Sequence, residues 1–122
     1  MTGMHGYYRE LSYEQLCAMD TQLQLWLDIR QESPLKNAEV GEYYTSINGE
    51  MLRMYRIPYN GYNNSGWLNS ALNVISGQSS LFEVELVVVC CDTGQKSLAA
   101  ARLLQGAGIN AVSLKGGISH LK

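Results

Sequence analysis

The chain has 122 residues, 46% of them hydrophobic and 16% charged, with a formal net charge of −2. That length suits one domain with its own core. The near-neutral charge leaves no basic footprint for nucleic acid, and no apolar run approaches the ~20 residues that span a bilayer, so neither nucleic acid nor membrane is expected as a partner.

The opening M-T-G-M-H-G-Y-Y lacks the basic-then-apolar layout of a secretory signal. Three cysteines, two of them adjacent, make no disulfide framework, and a cytoplasmic location is expected. Residues 1–7 read as a polar tail and 8–122 as the domain, which can be one module of a longer protein. A short edge strand is expected at 8–11. Ser12 and Gln15 then form a capping box in S-Y-E-Q, each side chain satisfying an orphan amide at a helix start. That helix places Tyr13, Leu16, Cys17 and Met19 near one side, with Cys17 as a small core residue.

L-W-L-D-I-R at 25–30 reads as the next strand, apolar until Asp28 and Arg30. Charges at a strand's end face a site or pair with each other, and pairing is favoured because buried charges need partners. From 31 to 49 the chain turns polar, with Pro34, Gly41, Asn48 and Gly49 as breakers and a helical turn expected at 39–44. A strand at 51–57 is closed by Pro58. The loop Y-N-G-Y-N-N-S-G at 59–66 reads as a solvent-exposed connection. A helix follows at 67–76, with Leu68, Ala71, Leu72 and Ile75 at core spacing and Gly77 as its stop.

L-V-V-V-C at 86–90 has no polar face, as befits a strand covered on both sides. The polar loop Cys91, Asp92, Thr93, Gly94, Gln95, Lys96 comes next, and Ser97 opens a helix to Gln105. Along it Leu98, Ala100, Ala101, Leu103 and Leu104 pack inward, while Arg102 and Gln105 face out. Gly106 and Gly108 end the helix, 111–114 supplies a last strand, and Gly116-Gly117 turns the chain. Strands alternating with helices predict an α/β fold with a mostly parallel central sheet flanked by helices.

One constellation carries chemistry. A thiol at the carboxyl end of a buried strand, facing a helix amino terminus, sits where α/β proteins place their sites. The amides of C-D-T-G-Q-K-S can curl around Cys91, Gly94 permits the required turn, and Lys96 adds a cation. Such a cradle stabilises a thiolate, a persulfide or a bound oxyanion; the plainer alternative is one more buried cysteine. Cys90 points to the opposite face of the sheet and reads as core. G-A-G-I-N-A at 106–111 imitates a dinucleotide fingerprint but ends a helix instead of opening one. His5 and His120 have no metal-ligand spacing, so neither metal nor cofactor is expected. No G-x-S-x-G elbow supports a serine hydrolase. A cysteine phosphatase needs arginine six residues past its cysteine to clamp phosphate; Ser97 stands there, with Lys96 one residue short.

Together, L-D-I-R at 27–30, C-D-T-G-Q-K-S at 91–97 and L-K-G-G-I at 114–118 resemble the rhodanese-like domain, in that order, over about residues 8–121. The match is most similar to bacterial rhodanese modules joined to cyclic-nucleotide-binding domains, although nothing here resembles the nucleotide-binding half. The resemblance implies a rhodanese-like three-layer domain and a six-residue active loop from Cys91 to Lys96. It implies a sulfurtransferase in which catalytic Cys91 takes sulfane sulfur as a persulfide and passes it to a thiophilic acceptor. Asp92, Thr93, Gly94, Gln95, Lys96 and Ser97 would bind the outer sulfur through their amides. The implied partners are a small sulfur donor and a thiol or cyanide-like acceptor, a protein acceptor among them. Three departures stand out. The G-H-I-P-G-A run is absent, with only Ile57-Pro58 in its place; Asp92 stands where many thiosulfate-using members carry arginine; and Leu121 replaces a frequent tryptophan. They keep open an idle rhodanese-like binding or redox-sensing module, and behind it a phosphatase or arsenate reductase.

Overall fold

The computed structural model describes residues 10–31, 41–47 and 50–119. The tail at 1–7, His5, Pro34, Asn48, Gly49, His120 and Leu121 lie outside the described residues. Six strands run β1 (Glu10–Leu11), β2 (Gln24–Asp28), β3 (Gly41–Ile47), β4 (Glu50–Arg56), β5 (Leu86–Cys90) and β6 (Ala111–Leu114). The helices are α1 (Tyr13–Cys17), α2 (Asn64–Ser79) and α3 (Gln95–Gly106). The strands form one sheet in the order β1-β6-β5-β2-β4-β3, parallel throughout except for antiparallel β3 at one edge.

The direction of the crossovers explains the layers. From β1 to β2 the chain travels one way across the sheet; from β4 to β5 and β5 to β6 it travels the other way. Right-handed crossovers then require α1 on one face and α2 and α3 on the other. The core is divided accordingly. Leu25, Leu27, Val87, Val89 and Ala111 pack with Trp67, Ala71, Ile75, Ala100, Ala101 and Leu104 of α2 and α3. Trp26, Val88, Cys90, Val112 and Leu114 pack with Tyr13 and Leu16 of α1. The domain is therefore a three-layer α/β fold with a mostly parallel sheet. Among the described residues, no helix is long and apolar enough to cross a membrane.

Local signals set several boundaries. The Gln15 amide donates to Ser12 Oγ at 3.1 Å, and the Ser12 amide donates to Gln15 Oε1 at 2.8 Å. α1 ends at Cys17, so Met19 lies beyond it and is exposed instead of sharing the buried side. The helical turn expected at 39–44 is instead a strand from Gly41, paired in register with β4 from Gly41↔Arg56 to Ile47↔Glu50. The partner strand follows after only Asn48-Gly49, so these breakers bound the strand instead of interrupting it, and Tyr43, Tyr44 and Thr45 within it favour the extended chain.

α2 starts three residues earlier than expected because Asn63 caps it, its Oδ1 accepting from the Gly66 amide at 3.0 Å. It also continues through Gly77, since a helical glycine costs only about 1 kcal/mol relative to alanine and leaves the ladder intact. Trp67, Ala71 and Ile75 form its buried stripe, with Leu68 and Leu72 half-buried beside it. α3 likewise begins at Gln95, ahead of Ser97. Its Gln105 turns back, donating to the Ala111 carbonyl at 2.7 Å, so it does not face out.

Candidate active site

The connection leaving β2 leads toward the β4 edge, and that leaving β5 leads toward the β6 edge. The carboxyl ends of these adjacent parallel strands thus flank a topological switch point, where α/β sheets open a crevice. A cavity of about 400 Å³ lies there, lined by Ile29, Arg30 and Gln31 after β2 and by Cys91, Asp92, Thr93, Gln95 and Lys96 after β5. Gly94 and Ser97 are buried beneath the loop, while Asp92, Thr93, Gln95 and Lys96 are exposed.

Cys91 follows the last residue of β5, and Gly94 sends the chain into α3 with φ at 96°. A side chain there would adopt a left-handed backbone conformation and crowd the Gly116 and Gly117 amides, so the turn requires glycine. The turn brings donors onto the sulfur. The Gly94 amide donates to Cys91 Sγ at 3.1 Å and the Ser97 amide at 3.3 Å, and Ser97 Oγ lies 3.4 Å away. Burial pushes the thiol up. Against it act the Ser97 hydroxyl and the amides of Ser97, Gly94 and Thr93, and the net result lies below the ordinary cysteine value.

Cys90 shows the opposite outcome one residue away. It sits in the other core, fully enclosed, and burial, followed by the nearby Asp28 carboxylate, pushes it well above the ordinary range. The two sulfurs face opposite sides of the sheet.

The cavity walls are braced from both sides. Arg30 grips Asp28 through two bonds of 2.9 Å, Nε to Oδ1 and Nη2 to Oδ2, so these charges pair. Buried Arg56, from the end of β4, donates through Nη2 to the carbonyls of Arg30 at 3.0 Å and Gln31 at 2.8 Å. Beneath the loop, Ile118 donates to the Cys91 carbonyl at 2.8 Å, and Ser119 Oγ donates to the Asp92 carbonyl at 2.6 Å. Gly117 packs so tightly that a Cβ would overlap the Asp92 carbonyl and Thr93 Cα.

Sequence reasoning singled out neither Arg56 nor Ser113, whose hydroxyl lies against Ser97. Both act across the sheet from distant segments, and the sequence signals for them were a buried-register arginine closing β4 and a lone hydroxyl in an apolar strand. Among the described residues no cluster of three or more His, Cys, Asp or Glu side chains is placed to hold a metal ion. The arrangement can stabilise an anionic sulfur at the floor of an open cavity and present it to a small molecule.

No family model matches the chain, and no curated protein matches it. Among solved structures, the chain is similar to a rhodanese homolog from the extremely thermophilic bacterium Thermus thermophilus. The two share 22% sequence identity, over 92% of this chain and 99% of that one, with a TM-score of 0.49. Likeness at that level assigns neither family nor activity to this chain.

Proposed function

We propose that the protein is a rhodanese-like sulfurtransferase, of the kind found as modules beside cyclic-nucleotide-binding domains, with Cys91 as the sulfur carrier. The observation that supports this most is the hydrogen-bonded Cys91 sulfur, held below the ordinary thiol range at a cavity on the switch point.

The Cys91 thiolate attacks the terminal sulfane sulfur of a donor. A bond forms between Sγ and that sulfur, the donor's sulfur–sulfur bond breaks, and its electron pair leaves with the rest of the donor. Cys91 then carries a persulfide. A thiolate or cyanide-like acceptor, small or on a protein, attacks the outer sulfur, and the electron pair of the breaking bond returns to Sγ. The loop from Asp92 to Ser97 surrounds the outer sulfur with amides, and Lys96 at the rim adds positive charge. No cofactor is needed, and a reducing compartment such as the cytoplasm suits a carrier that cycles between thiolate and persulfide.

Asp92 shapes the choice of donor. Asp92 lines the same cavity as the thiol, and a carboxylate beside the nucleophile disfavours a compact dianion such as thiosulfate. Organic persulfides and polysulfides, with less charge at the transferred sulfur, are the better donors in this reading.

The same carboxylate favours, as second reading, an idle module that binds a partner. A transfer assay separates the two. Purified protein supplied with a polysulfide or an organic persulfide should deliver sulfur to cyanide or a thiol, and Cys91→Ser should deliver none. Absence of transfer from thiosulfate, polysulfide and persulfide alike would leave the binding module. Turnover of an aryl phosphate or arsenate is not expected, because Ser97 occupies the position where a phosphate clamp needs arginine.

A further inference from the structure

Ser113 sits within β6, whose other residues are apolar, and is fully buried. Alternation puts it on the same face as Ala111, toward α3, while Val112 and Leu114 face the other core. A hydroxyl cut off from water must find partners. Ser113 Oγ has two oxygens nearby, Ser97 Oγ at 2.5 Å and the Gly94 carbonyl at 3.5 Å. Ser97 is itself fully buried, and its Oγ reaches on to Cys91 Sγ. Side chains from β6, α3 and the end of β5 therefore form one continuous chain. Neither serine lines the cavity.

Proton counting gives this chain a direction. Each hydroxyl has one proton, and a thiolate only accepts. With Cys91 as thiolate, the Ser97 proton points to sulfur, Ser97 Oγ is left as an acceptor, and Ser113 donates to it across the short contact. With Cys91 as neutral thiol, the order reverses. The S–H then points to Ser97, Ser97 donates to Ser113, and Ser113 must use the Gly94 carbonyl at the longer distance. The contacts accommodate both orders; the first is the one a thiolate imposes, because it can only accept, and donors in series then strengthen one another.

We propose that Ser113 is a positioning residue: its hydroxyl donates to Ser97 Oγ and so fixes the Ser97 proton on Cys91 Sγ, without touching substrate. This rests on Cys91 as the reacting thiolate and adds the device that keeps it so from behind the site. The charged groups around the sulfur are Arg30 at the end of β2, with Asp28 holding it, and Asp92 and Lys96 of the loop. β6 carries no charged residue, and the buried face of α3 presents none.

The test is the pH dependence of Cys91 alkylation by iodoacetamide, followed on the whole chain with no sulfur donor present. It can therefore succeed or fail independently of sulfur transfer. Ser113→Ala should raise the midpoint by about half a pH unit, roughly a threefold loss of thiolate below it, while Ser113→Thr, which keeps the hydroxyl, should retain the wild-type midpoint. Ser97→Ala should raise it further, and adding Ser113→Ala to Ser97→Ala should change nothing more, because Ser113 acts only through Ser97. Two outcomes overturn the relay: a Ser113→Ala midpoint equal to wild type, whatever happens to thermal stability, or shifts that add in the double variant.

Discussion

Two opposed effects meet at Cys91: enclosure, which penalises a charged sulfur, and a ring of donors, which favours it. The donors prevail there and are missing at Cys90, so adjacent residues of one type differ in chemistry. Iodoacetamide should accordingly label Cys91 in the native protein at a pH where free cysteine reacts slowly, and leave Cys90 untouched until unfolding. Peptide mapping after a brief pulse checks this, and labelling of Cys90 at a comparable rate would contradict it.

The same shift bears on stability. Because the folded value lies below the unfolded one, the gain is complete above the unfolded cysteine's pKa and disappears as pH falls through the folded value. Denaturation midpoints across that window should rise with pH in the wild type more than in Cys91→Ser.

At the scale of elements, the loop is held from below by the turn after β6. Gly117, at φ 80°, lies against the Asp92 carbonyl, and Ile118 and Ser119 donate to the loop's carbonyls. Gly117→Ala should lower stability by about 1–3 kcal/mol and depress Cys91 reactivity together, since the loop must move to admit a methyl group. Equal unfolding midpoints and alkylation rates would count against this bracing. Gly77 is the contrasting case, a glycine inside α2 with open space where a Cβ would go. Gly77→Ala should stabilise by roughly 0.5–1 kcal/mol in chemical denaturation.

These elements differ in how far the sequence reveals them. The Ser12–Gln15 capping box and β5 were legible because their signals are local: four residues in the one, five apolar residues in a row in the other. β3 was missed although its signals are also local: Tyr43, Tyr44 and Thr45 favour a strand, and the Asn48-Gly49 pair, read as a chain breaker, stands between it and its antiparallel partner β4. The start of α2 was hidden in an asparagine pair, where only the fold shows which side chain caps. Ser113 was read as part of a strand, and its role depends on a hydroxyl 16 residues away in sequence.

For the whole molecule, strand order is the fact that makes the site. β2 and β5 lie side by side only because the chain crosses the sheet in both directions, and their carboxyl ends then share a cavity. Asp28, Arg30 and Arg56 stiffen one wall, and the loop with its thiol forms the other. The sequence announced the thiol wall through a strand, a cysteine and a glycine-bearing loop in succession. The opposite wall was half visible as Asp28 and Arg30, while Arg56 joins it only through the register of β4. What this architecture offers is a sulfur in the wall of a cavity, backed by hydrogen-bond donors that favour its anionic form.

Whether that sulfur carries another is decided by intact-mass spectrometry after exposure to a polysulfide or an organic persulfide. The wild-type protein should gain the mass of one sulfur atom, localised to Cys91, lose it on addition of cyanide or a thiol, and gain none as Cys91→Ser. An unchanged mass with every donor, or an adduct that persists in Cys91→Ser, would contradict a persulfide at Cys91.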